Sequence, residues 1–124
     1  MQRVSADQES TGHFLVQHYP VPVRADLLVA FQSAWKLIAE PGNWYSAEQR
    51  ISIAQETRNA SDCEICRDRN AVLSPNAIEH RHPASNLLSS AAIDAIHRIA
   101  TDASRLSKAW LDSVADQGLS LIHI

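Results

Sequence analysis

Apolar residues recur at helical spacing through most of the chain, and no stretch alternates apolar and polar positions as a half-buried strand would. From Ala25 to Glu40, the residues Leu27, Leu28, Phe31, Ala34, Trp35 and Ile38 fall on one stripe, and Pro41-Gly42 stops the run. Ser46-Ala47-Glu48-Gln49 has the form of a capping box, with Ser46 as N-cap and Gln49 reaching back. It predicts a second helix to about Asn59, with Ile51, Ile53 and Ala54 facing inward. Ser61-Asp62-Cys63-Glu64 has the same form and predicts a third helix from Asp62 to about Leu73. Ser74-Pro75 opens a short fourth helix to about His80, because proline suits the first helical position. His82-Pro83 ends it.

Ser89 or Ser90 caps a further helix through about Thr101, with Ile93, Ile96, Ile99 and Ala100 as its apolar face. Arg105 to Gln117 predicts the last helix, with Leu106, Trp110, Leu111 and Val114 on one side. Helices of this length joined by short loops predict an all-α bundle over residues 25–118. Ahead of it, residues 1–12 are polar, and Tyr19-Pro20 with Val21-Pro22 forbid a helix interior. Residues 1–24 therefore read as an extended or disordered arm. Leu119-Ser120-Leu121-Ile122-His123-Ile124 coincides with one reading frame of a transposon-end adapter used in preparing sequencing libraries. Residues 119–124 are on that ground an expected artefact, with the natural chain cut near Gly118 and further helices lost.

Composition narrows the class. The chain has 124 residues, 45% hydrophobic and 20% charged, which is ordinary for one domain with its own core. The net charge of −3 comes from 11 basic and 14 acidic residues, well mixed, so nucleic acid is not an expected partner. No apolar run reaches the roughly 20 residues of a membrane span, and residues 1–12 lack a signal-peptide core. The expected compartment is the reducing cytoplasm, where two close cysteines point to catalysis or metal binding.

Those cysteines, Cys63 and Cys66, are the only two in the chain. The third capping box would put Cys63 in a first helical turn and Cys66 one turn on. Free N–H groups at a helix start lower a thiol's pKa, and a second thiol three residues away can resolve a mixed disulfide or sulfenic acid. The pair is therefore a candidate dithiol redox centre. A thioredoxin-like reading fails because no βαβ pattern surrounds it. A zinc reading takes Cys63, Cys66, His80 and His82 as ligands, the His-x-His pair beginning fourteen residues after Cys66. A third reading makes the cysteines two small buried residues. Glu56 reads as a solvated mid-helix charge with proton relay as its sharper role. His80 and His82 read as exposed loop histidines, or as relay groups. His97 reads as a partly buried, hydrogen-bonded residue, and Trp35, Trp44 and Trp110 as core or subunit interface. Arg67, Asp68 and Arg69 read as a solvated face, with either arginine able to steady a thiolate.

The segment SAEQRISIAQETRNASDCEIC resembles the alkylhydroperoxidase D and carboxymuconolactone decarboxylase superfamily, best over Trp44 to Ser74 and more loosely over Leu27 to Gly118. The resemblance implies an all-α, homo-oligomeric bundle that reduces peroxide through a dithiol cycle. Cys66 would be peroxidatic and Cys63 resolving, a partner dithiol protein would be the reductant, and no bound cofactor would be needed. The family motif carries a Glu ahead of the first cysteine and a His after the second. Those positions hold Ile51 and Asn70 here, so Glu56, His80 or His82 would have to supply the proton relay. The decarboxylase branch lacks the cysteine pair. The expected activity is thus peroxide or disulfide exchange, with a non-catalytic oligomeric or zinc-binding module as the alternative.

Overall fold

The structure, a computed structural model, describes residues 21–79 and 81–119. The expectations for residues 1–20, for His80 and for residues 120–124 lie outside it. The chain divides into two compact units, Met1–Ala39 and Glu40–Ile124. The first contains helix α1 (Ala25–Ile38). The second contains α2 (Ala47–Asn59), α3 (Glu64–Ala71), α4 (Ser90–Asp102) and α5 (Lys108–Asp116). Single 3-10 turns occupy Ala60–Asp62, Pro75–Ala77 and Ala103–Arg105. Among the described residues there is no strand, so the fold class is all-α. No described helix is long and apolar enough to cross a membrane.

Local chemistry sets most helix ends. The first capping box forms: Gln49 N donates to Ser46 Oγ at 3.2 Å, and Ser46 N donates to Gln49 Oε1 at 3.0 Å. Ser89 Oγ accepts from Ala92 N at 3.1 Å and caps α4, and Ser107 Oγ accepts from Trp110 N at 3.2 Å and caps α5. Helix α5 closes with a Schellman arrangement. Gly118, at φ 88°, sends its N–H to the Ala115 carbonyl, and the next N–H reaches that of Val114.

Three boundaries depart from the sequence pattern. The second capping box does not form. Ser61 Oγ donates back to the Arg58 carbonyl at 2.9 Å, which draws Ala60–Asp62 into a 3-10 turn. Cys63 then becomes the extended N-cap residue, at φ −75° and ψ 124°, and α3 begins only at Glu64. The helix expected from Ser74 to His80 contracts to one 3-10 turn, because Ser74 makes no side-chain cap and Ile78 is extended. The last helix begins at Lys108 rather than Arg105, because Arg105 turns back to serve other elements. Its Nε donates to both Asp102 carboxylate oxygens, at 2.8 and 3.0 Å. Its Nη1 and Nη2 reach the Val72 and Arg69 carbonyls at 2.6 and 2.9 Å, near the end of α3, where carbonyls lack helical partners.

Helix α4 packs against α2, the 60–62 turn and α3. The interior they share is small. Its buried apolar residues are Ala60, Cys66, Leu88, Ile93, Ala95 and Val114, and no large described side chain is completely enclosed. Buried beside them are Arg69, His82, His97, Arg98 and Asp102. A core this thin contributes little hydrophobic stabilisation, so cross-links between polar groups must carry more of the fold. Because α4 is the shared wall, its cap should matter measurably. Ser89→Ala should cost about 1 kcal/mol and Ser89→Gly only a few tenths, read from urea midpoints. Equal losses in the two variants would show that the Ser89 hydroxyl is not the cap.

Candidate metal centre

Four side chains from three places in the fold meet behind the start of α3. Cys63 is the N-cap residue and Cys66 lies in the first turn of α3. His82 comes from the loop before α4, and His97 from the middle of α4. The Cys63 sulfur lies 3.3 Å from His82 Nε2, the Cys66 sulfur 3.7 Å from the same nitrogen and 3.4 Å from His97 Nδ1. All four donor atoms lie within 4.8 Å of one another. The two imidazole rings are tilted by 44° to each other, with their centroids 4.1 Å apart. Cys66, His82 and His97 are buried and Cys63 is half-buried.

Carboxylates hold both rings from behind. His82 Nδ1 donates to Asp94 Oδ1 at 2.9 Å, and His97 Nε2 donates to Glu56 Oε2 at 2.8 Å. These acceptors assign the tautomers: each ring turns its lone-pair nitrogen toward the sulfurs. Arg69 Nη1 reaches the same Asp94 oxygen at 2.7 Å. Ser90 Oγ donates to the His82 carbonyl, so the loop is tied to the start of α4 at its backbone as well. Asp94 and His97 are three residues apart on α4 and therefore project on one side.

The electrostatics favour neutral groups. Burial pushes the Cys66 thiol up to about 11, with neighbouring Cys63 adding to the rise and Thr101 and Arg69 opposing it. Burial lowers the His82 pKa despite the opposing pull of Asp94, and the charge on His97 lowers it further. Without a cation, burial thus favours the thiol form of Cys66 and the neutral imidazole of His82. That arrangement runs against the activated thiolate expected from a helix start.

The cysteines are brought together as expected. Glu56, expected to be a solvated charge, instead accepts from His97 because α2 and α4 pack there. His82, expected on an exposed loop, is buried at 4% exposure, since Asp94 and Ser90 draw it inward. The expected partner His80 lies outside the described residues. His97 is the second imidazole at the sulfurs. Its hydrogen-bonded burial was expected, but its place in the site was not. The available signal was a polar residue set four positions after Ile93 on an apolar helix face. Asn70, at the position where the resembled family has His, donates instead to the Thr101 carbonyl at 3.4 Å. Ile51, at the Glu position, is 39% exposed. Trp44 is 61% exposed rather than core. Arg69 is buried on Asp94 rather than part of a solvated face.

No family model matches this chain, and no curated protein or solved structure matches it.

The two shifts predict the pH dependence of the metal-free protein. His82 titrates lower when folded than the ordinary 6.5, so its contribution is lost as pH falls below about 6.5. Cys66 titrates higher, so its contribution is complete below 9.0 and is lost as pH rises from 9.0 toward about 11. Urea midpoints of metal-free protein should form a plateau at about pH 7 to 9 and fall on both sides. Midpoints that rise between pH 9 and 11 would contradict the burial of Cys66.

Proposed function

We propose that the second unit is a zinc-tied helical module, with Cys63, Cys66, His82 and His97 as ligands. One observation carries the reading. Tetrahedral zinc, with about 2.3 Å to sulfur and 2.0–2.1 Å to nitrogen, requires S···N edges of about 3.5 Å. Three of the four S···N separations are 3.3, 3.4 and 3.7 Å, and the fourth is within 4.8 Å. Both lone-pair nitrogens point into the quartet, and each histidine carries a carboxylate on its far nitrogen, the usual support for a metal-bound imidazole. Two sulfurs and two nitrogens suit zinc over harder cations. Bound zinc would stabilise both thiolates, including that of Cys66, which burial otherwise disfavours.

Four protein ligands leave no open coordination position, which is the pattern of a structural site. The thin core supports the same role: a metal joining α3, α4 and the intervening loop would supply stability that apolar burial does not. The resulting module would act through its surfaces rather than by chemistry at the metal.

Purified protein should hold about one zinc per chain, and a strong chelator should lower its Tm reversibly. His97→Ala and Cys63→Ser should abolish stoichiometric zinc. Asp94→Asn and Glu56→Gln should keep the ligands but weaken zinc affinity by about 10–100-fold in competition with a chromogenic chelator. Refolded protein with no zinc and a Tm indifferent to zinc or chelator would end this reading.

A second reading has its own observation: Glu56, His97 and Cys66 form a continuous line, at 2.8 Å and then 3.4 Å. This matches a proton relay for a peroxidatic Cys66 in an alkylhydroperoxidase D-like bundle. In that cycle His97 accepts the Cys66 proton, and the thiolate attacks the outer peroxide oxygen. The O–O bond breaks and the alcohol leaves with that proton, which gives a sulfenic acid. Cys63 sulfur then displaces water and closes the disulfide, so two thiols and one hydroperoxide yield a disulfide, an alcohol and water. A partner dithiol would restore the thiols, and the active form would be a homo-oligomer. Thiol counting on metal-free protein separates the readings. The dithiol cycle predicts loss of two thiols together per equivalent of cumene hydroperoxide, and Glu56→Gln should slow it by roughly 10²-fold or more. Zinc-loaded protein whose thiols resist peroxide would favour the structural role.

A further inference from the structure

Beside Asp94 the structure has a second feature, which none of the four proposed zinc ligands lines. A cavity of about 320 Å³ opens between α3, α4, the 75–79 segment and α5. Its volume is within the range of small-molecule sites. Arg98 lines it and is itself only 5% exposed.

The charges around Arg98 do not balance. Arg69 is matched to Asp94 at 2.7 Å, and Arg105 to Asp102 at 2.8 Å. Arg98 forms no salt bridge among the described residues, and its buried Nε has no hydrogen-bond partner. It lies over the Trp110 ring, 5.8 Å from the centroid. A ring face attracts a cation but accepts none of its in-plane N–H groups. A guanidinium keeps its charge in proteins; Asp102 and Asp94 act on it only through space, so its buried Nε donor stays unsatisfied, which is costly. The buried orphan therefore faces a cavity with room for an anion.

The wall selects the kind of anion. Ile78, Val114 and Trp110 give the cavity an apolar side next to the guanidinium. Asp94 and Glu79 also line it, and they disfavour a multiply charged ligand more than a singly charged one. Besides Arg98, the lining carries Arg81 and Arg69, the latter already matched to Asp94. The geometry points to a binding site for a small monocarboxylate with a flat apolar body, its carboxylate held by Arg98 and its body against Trp110. The planar fork of Arg98 matches two carboxylate oxygens, which an ammonium could not do. The site stands apart from the metal reading, since none of the four sulfur or imidazole ligands lines the cavity.

Benzoate is the probe, with benzamide as its neutral isostere and inorganic phosphate as the bare anion. Calorimetric titration of the full chain, with zinc content measured on the same samples, reads all three. Benzoate should bind saturably at one per chain, at least roughly tenfold tighter than benzamide. Arg98→Lys should weaken benzoate by at least about tenfold while leaving the helical circular dichroism unchanged. Equal binding of benzoate and benzamide, or no saturable binding of either, overturns the site. Phosphate binding tighter than benzoate overturns the ligand class. If Arg98→Lys does not fold, the comparison of benzoate with benzamide on the unchanged chain still decides.

Discussion

Two thiols and two imidazoles occupy the place where a larger core would have aliphatic side chains. Buried polar groups destabilise a fold unless their hydrogen bonds are made, and here each member has an assigned partner. Glu56 orients His97, and Asp94 orients His82. The rings in turn face the sulfurs. Removing one carboxylate would take away the acceptor that fixes a ring's tautomer and orientation. The arrangement draws on α2, α3, α4 and the loop before α4 together, so the quartet is as much the centre of the packing as Ile93 or Leu88. Helix α4 contributes most. Asp94, His97, Arg98 and Asp102 recur at spacings of three and four and give its inward side an unusually polar character.

The helices were legible because their signals are local. Ser46 and Gln49 carried a complete capping box, and the structure forms both of its hydrogen bonds. Ser61 and Glu64 offered the same residue types in the same spacing. The Ser61 hydroxyl found the Arg58 carbonyl first, so the chain at Cys63 is extended rather than helical. Both outcomes use ordinary serine chemistry, and only the neighbouring helix end distinguishes them. The site was half legible. A lone Cys-x-x-Cys marks itself, but His97 sits 31 residues after Cys66, and both partners of its ring, Cys66 and Glu56, are distant in sequence. Its role depends on α4 packing across α2 and α3, which is tertiary information. Glu56 was identifiable as a relay candidate, yet its actual acceptor role is also set by that crossing.

The two readings of the quartet compete for the same electron pairs. A metal takes the lone pairs of both nitrogens and both thiolates, and protons must leave for it to bind. A thiol cycle needs the same His97 nitrogen free to accept a proton. The sulfur atoms cannot be both closed ligands and an available nucleophile. The burial that raises the Cys66 thiol to about 11 weighs on the side of the cation, because a metal replaces the proton directly and a peroxide does not.

One carboxylate oxygen, Asp94 Oδ1, accepts from both Arg69 and His82. Arg69 and Asp94 also line the cavity beneath Arg98. The two regions therefore share a node. An anion that pulled Arg69 toward itself would leave more of that oxygen to His82, and a cation drawn to His82 Nε2 would strengthen the hold of Nδ1–H on the same oxygen. Linkage makes such an effect reciprocal: whatever the anion does to metal affinity, the metal must do to anion affinity by the same factor. A thermodynamic square of the two titrations would measure that factor, and strictly additive free energies would show that the shared oxygen transmits nothing. A unit whose described residues bury so few hydrocarbon groups would then have its occupancy at one site reported at the other through a single atom.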